Sequence, residues 1–143
     1  MNTNKLEKLF AEYEKAFSEL NIEKNATLFA DTFISAGPKG TIAQSKDEFV
    51  KMGKQASEFY KSVGQTSGKI ISKKFTPISD QYTMATIHWG VSFKKTGNRM
   101  IEFDVSYIVN ETANEPKIIL FIAHQDEEAA MKKLGLLDKA MAH

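Results

Sequence analysis

Residues 82–110, YTMATIHWGVSFKKTGNRMIEFDVSYIVN, decide the fold. Two runs rich in β-branched and aromatic residues, 82–94 and 99–110, flank Lys95-Thr96-Gly97-Asn98, a link short enough to close an antiparallel hairpin. Runs of the same character extend on either side, at 69–78 and 117–125, and the polar segment 110–116 is short enough to join the last pair. Four strands in sequence, each linked to the next by a short loop, predict an antiparallel meander. In its last strand Ile119, Phe121 and Ala123 alternate with Ile118, Leu120 and Ile122, so neither side reads as a solvent face. A small domain with two apolar sheet faces is expected to dimerise through one of them.

Upstream the period changes from two to between three and four. Leu6, Phe10, Tyr13, Phe17 and Leu20 form the apolar stripe of a first helix. Asn21 is placed to cap a second helix, whose Ile22, Ala26 and Phe29 continue the spacing up to Asp31. Gly37-Pro38-Lys39-Gly40 is a turn signal between short extended runs at 33–35 and 41–43. Ser45-Lys46-Asp47-Glu48 fits a capping box, followed by Phe49, Met52, Ala56, Phe59 and Val63 on one helical face that ends at Gly64. A final helix is expected from Asp126, with Met131, Leu134 and Leu137 on its apolar side. N-terminal helices packed on a curved, mainly antiparallel sheet make an α+β fold, and residues 1–143 read as one domain.

Composition narrows the function classes. With 19 basic and 18 acidic side chains there is no net field to attract nucleic acid or an anionic membrane. The absence of cysteine removes disulfides, thiolate metal sites and cysteine nucleophiles. Residues 1–15 alternate charged and apolar groups, unlike a signal peptide or membrane span, so a cytoplasmic location is expected. Three scattered histidines give no zinc spacing, and no glycine-rich loop suits a phosphate, so neither metal nor cofactor is expected. Asn25-Ala26-Thr27 and Asn110-Glu111-Thr112 match the glycosylation pattern by chance on this reading.

The stretch Asn25-Ala26-Thr27-Leu28-Phe29-Ala30-Asp31, then Phe33-Ile34-Ser35 and Gly37-Pro38, resembles the helix-to-strand junction of SnoaL-like and ketosteroid-isomerase-like proteins. Phe103 to Val109, Lys117-Ile118-Ile119 and His124-Gln125-Asp126 resemble the closing hairpin of the same nuclear transport factor 2-like superfamily. The resemblance implies a cystatin-like cone enclosing a small pocket. It also implies, for an isomerase, a carboxylate base before the proline of the first hairpin and an oxyanion hole made by a helix-one tyrosine and a strand aspartate. The tyrosine falls on Tyr13, the aspartate on Asp104, and the base on Gly37, which cannot take a proton.

The candidate chemistry therefore rests on few groups. Asp104, between Phe103 and Val105, is an acid or base if desolvated in the pocket and an ordinary strand residue if it faces solvent. His88 is a proton shuttle, a ligand contact or a satisfied structural group. Tyr13 is an oxyanion donor or a core tyrosine. Met84, Thr86 and His88 share one strand face, which suits a pocket wall, and Thr83, Ala85, Ile87 and Trp89 share the other, which suits a dimer contact. Phe17, Phe33, Phe49 and Phe59 are the expected apolar lining. His124 with Asp126 offers an ion pair or the cap of the last helix.

Three functions remain open: binding of a small hydrophobic ligand in the cone, proton-transfer catalysis of the isomerase, dehydratase or cyclase type on a hydrophobic substrate, and association without catalysis.

Overall fold

A computed structural model describes residues 3–62, 64–94 and 100–126. Helix α1 (Asn4–Ser18) turns Leu6, Leu9, Phe10 and Ala16 fully inward. Its aromatic residues lie on the sheet: the ring of Phe10 is 5.2 Å from Tyr107, and Phe17 meets Trp89 edge-on at 5.1 Å. Such offset and edge-to-face pairs contribute beyond the area they bury. Polar ties fix the helix along the sheet, since Glu14 accepts the backbone N–H of Ile70 at 2.5 Å and Glu7 pairs with Lys73.

Helix α1 stops in a Schellman turn. The N–H of Leu20 donates to Phe17 O and that of Asn21 to Ala16 O, which leaves Leu20 at φ 54. Helix α2 (Ile22–Ala26) follows, capped by Asn21, whose side chain accepts the Lys24 N–H at 3.1 Å. The helix expected to run to Asp31 ends earlier, and β1 (Phe29–Gly37) begins inside that stretch. The reason is tertiary: the Ile118 N–H donates to Leu28 O, and Phe29 pairs with Ile118 of the last strand.

β2 (Gly40–Ser45) returns antiparallel to β1, and α3 (Lys46–Ser62) starts at the capping box, where Glu48 N–H donates to Ser45 Oγ at 3.2 Å. Gly64, at φ 74, carries the chain into β3 (Gln65–Pro77), four residues earlier than periodicity indicates. β4 (Tyr82–Phe93), β5 (Met100–Asn110) and β6 (Lys117–Ala123) complete a six-stranded sheet in the order β2-β1-β6-β5-β4-β3. Only the β1–β6 contact is parallel among its pairings. The sheet is curved and mostly antiparallel, as expected. Residues 95–98 and the helix expected beyond Asp126 lie outside the described residues.

The two faces of the sheet are the reverse of the sequence expectation. Thr83, Ala85, Ile87, Trp89 and Val91 of β4 are buried against the helices, with Phe103, Val105, Tyr107 and Val109 of β5 beside them. Met84, Thr86, His88 and Asp104 stand on the outer face, away from α1. Alternation fixes which residues travel together, but helices choose the face with the larger apolar area, here the one carrying Trp89 and Tyr107. β6 departs from strict alternation as well. A register shift between Ile108 and Val109 brings both Ile118 and Phe121 to the inner face, opposite Val109 and Tyr107, while Leu120 and Ile122 stay outside.

Candidate functional site

The inner face does not close completely. At the end where α1, α2 and α3 converge, a cavity of ≈ 330 Å³ remains. Its walls are Tyr13, Ala16 and Phe17 from α1, Ile22 and Asn25 from α2, and Phe49 and Tyr60 from α3, with Phe121 of β6 as the floor. Gly53 brings α3 close to α2: a methyl group there would overlap the side chain of Ile22. Tyr60 and Phe121 also wall a wider depression of ≈ 570 Å³ under the β1–β2 turn, so the cavity adjoins an open cleft. Behind the lining lies a continuous aromatic cluster, with Tyr13 5.4 Å from Trp89 and Phe29 4.8 Å from Phe49. The indole N–H of Trp89 donates to the Tyr107 hydroxyl at 3.0 Å, which satisfies a buried donor within the core.

Of the residues singled out in the sequence, Tyr13, Phe17 and Phe49 line this cavity. Phe33 is buried in the core and Phe59 packs beside Tyr60, both outside the lining. Met84, Thr86, His88 and Asp104 do not reach it because they project from the opposite face of the sheet. Tyr60, Phe121 and Asn25 were missed. On α3 the expected face ran through Met52, which is 55% exposed, whereas the cavity side runs through Phe49, Gly53, Ala56 and Tyr60. Phe49 and Ala56 are common to both faces, and Gly53, with no side chain, gives no apolar signal to draw the stripe towards Tyr60. Gly37, the position of the isomerase base, ends β1 with room beside it, since a methyl group would sit 3.5 Å from Ala123 Cβ. The position carries no acid.

On the outer face His88 and Asp104 do come together, in register across β4 and β5. Nδ1 of His88 is 2.7 Å from Asp104 Oδ1, and Nε2 is 2.8 Å from Glu102 Oε1. The hydrogen bond to Glu102, then that to Asp104, raises the His88 pKa above its ordinary value. The same contact with His88, helped by the Gln125 side-chain N–H at 3.2 Å, lowers that of Asp104. With a carboxylate at each ring nitrogen, this cluster ties β4 to β5 on the face of the sheet away from the cavity. Its carboxylates do not form a metal site, because they meet the ring at separate nitrogens and do not converge on one point; among the described residues no group of side chains is disposed to hold a metal ion. Beside the cluster, His124 Nε2 lies 2.7 Å from Ser106 Oγ.

Helices covering one face of a curved sheet, with a cavity left at their converging ends, define the class of NTF2-like proteins with a cystatin-like fold. The chain belongs to the NTF2-like protein family DUF6841, whose model matches residues 4–126. No curated protein matches it. An NTF-2 like protein of unknown function from Shewanella oneidensis MR-1 shares the fold at TM-score 0.73, with 14% identity over 87% of this chain and 100% of that one. A ketosteroid isomerase-like protein from Erwinia carotovora atroseptica is similar at TM-score 0.58, with 14% identity over 82% and 91% of the two chains. A third, from Xanthomonas campestris, assigned as a calcium/calmodulin dependent protein kinase II association domain, is similar at TM-score 0.63 with 12% identity over 88% and 89%. At these identities the likeness is one of fold.

Proposed function

We propose that this protein binds a small, largely apolar molecule in the cavity between α1, α2 and α3. The observation that carries the reading is the lining itself: Tyr13, Phe17, Phe49, Tyr60 and Phe121 surround ≈ 330 Å³, within the size of known small-molecule sites. Among the described residues that lining contains no carboxylate, imidazole or lysine, so it favours binding over proton transfer. A ligand that binds the native state alone stabilises it by mass action, by about 2.7 kcal/mol at a hundred times its Kd. Thermal denaturation in the presence of a panel of small apolar compounds is the test. A rise in Tm with some members, saturating with concentration, is expected. No rise with any compound at millimolar concentration would refute the reading.

A second reading concerns the outer face and does not compete with the first. Ile71, Met100 and Ile122 are 44%, 38% and 42% exposed there, beside half-buried Ile34, Ile108 and Leu120. His88 hydrogen-bonds both Glu102 and Asp104, so that cluster is held within itself, and among the described residues the apolar side chains border it exposed. A second copy of the chain suits it, since an isologous contact pairs one apolar patch with itself. The likeness to a protein assigned as an association domain supports this reading. Light scattering at micromolar concentration is expected to give twice the 16.1 kDa chain mass. A single species at 16.1 kDa would contradict it.

A further inference from the structure

We infer that Asn25 is the polar anchor of the cavity and that the ligand carries a hydroxyl or N–H donor on its apolar body. This rests on the cavity being a binding site, and it assigns the one feature that apolar walls cannot supply, the orientation of the bound molecule.

Asn25 sits in the last turn of α2 and is only 7% exposed. Its backbone is fully used, the N–H donating to Asn21 O at 3.1 Å and the carbonyl accepting from Leu28 N–H at 3.0 Å. Oδ1 is shut off from solvent and has no hydrogen-bond partner, alone in this among the buried side-chain polar atoms of the described residues. By contrast Gln44 and Thr83, also buried, both find partners, in Met52 Sδ and Glu111.

A buried amide oxygen without a donor is costly, and burial there is otherwise filled by apolar groups: Ala26, the next residue, is 4% exposed. Asn25 also lines the cavity, opposite the apolar surfaces of Phe49 and Phe121. Oδ1 is now shut off from solvent, and rotation about the Cβ–Cγ bond, whose torsion is broad and roughly two-fold, must turn it into the cavity for a ligand to reach it. A ligand donor placed there would satisfy the oxygen while its body fills the aromatic walls, an arrangement of few convergent polar groups in an apolar site. The same burial makes Asn25 unavailable as a glycosylation acceptor, in agreement with the chance reading of that motif.

Calorimetric titration of the whole chain with 4-tert-butylphenol, 4-tert-butylanisole and 4-tert-butyltoluene separates the two claims. The three share one apolar body, and only the phenol donates a hydrogen bond. The phenol is expected to bind about tenfold more tightly than the ether or the hydrocarbon, the size of effect one buried hydrogen bond gives. In Asn25→Leu that preference should vanish, with the hydrocarbon binding at least as well as to the parent protein. The side-chain amide resonances of Asn25 should shift on adding phenol, a readout that needs no variant. Equal affinity for all three, or a phenol preference that survives in Asn25→Leu, would overturn the inference while leaving the apolar site standing. Absence of binding by all three would overturn both.

Discussion

His88 is held from two sides, by Glu102 at Nε2 and Asp104 at Nδ1, and its protonation is tied to the stability of the sheet. Its pKa is raised on folding, so its contribution is complete below about pH 6.5, the ordinary histidine value, and is lost as pH rises through the raised value. The Asp104 pKa is lowered, so that contribution is complete above about pH 4 and is lost as pH falls through the lowered value. Together they place the maximum between about pH 4 and 6.5, with a small amplitude because both groups are partly in water. Relative to His88→Gln, the parent protein should be more stable at pH 6, and the difference should shrink towards pH 9 in urea titrations. A difference independent of pH would remove the pairing from the account. This residue also shows where the sequence stopped being legible. That Met84, Thr86 and His88 share one strand face, and Thr83, Ala85, Ile87 and Trp89 the other, was readable. Which side of the sheet carried His88 was not, because period-two alternation is identical for both sides and the choice is made by helices packing from elsewhere in the chain.

At the level of elements, the turn between α1 and α2 is built against local preference. The left-handed position of a Schellman turn favours glycine, yet Leu20 occupies it at φ 54 with its side chain on the cavity wall. Backbone strain of this kind costs about 1–2 kcal/mol and persists where the side chain has a use. Leu20→Gly should relieve it and lose the packing of one half-buried leucine, leaving stability within about 1 kcal/mol of the parent. Affinity for an apolar ligand should nevertheless fall several-fold, because a wall is removed. Unchanged affinity, measured by the Tm shift at fixed ligand, would mean that Leu20 only closes the turn. The capping box at Ser45–Glu48, the Asn21 cap and the hairpin of β1 and β2 were all legible, being written in adjacent residues. The early start of β1 and the register shift in β6 were not. The first follows from the parallel pairing of β1 with β6 and the second lies in the β5–β6 ladder, and each depends on contacts between strands rather than on adjacent residues.

The whole molecule presents two distinct sheet faces. The inner face holds an aromatic cavity, and the outer face presents apolar side chains around the hydrogen-bonded cluster of His88, Glu102 and Asp104. Distant sites without shared partners behave additively, so Ile122→Lys, aimed at the outer face, should abolish dimerisation and leave ligand affinity within about twofold. A large loss of affinity would mean that the second copy completes the cavity. The most direct test of the central claim is a two-dimensional amide NMR titration with 4-tert-butylphenol, mapping where the ligand sits. The account predicts saturable shifts at Tyr13, Phe17, Asn25, Phe49, Tyr60 and Phe121, with His88, Glu102 and Asp104 unmoved; shifts confined to the His88 side of the sheet would contradict it.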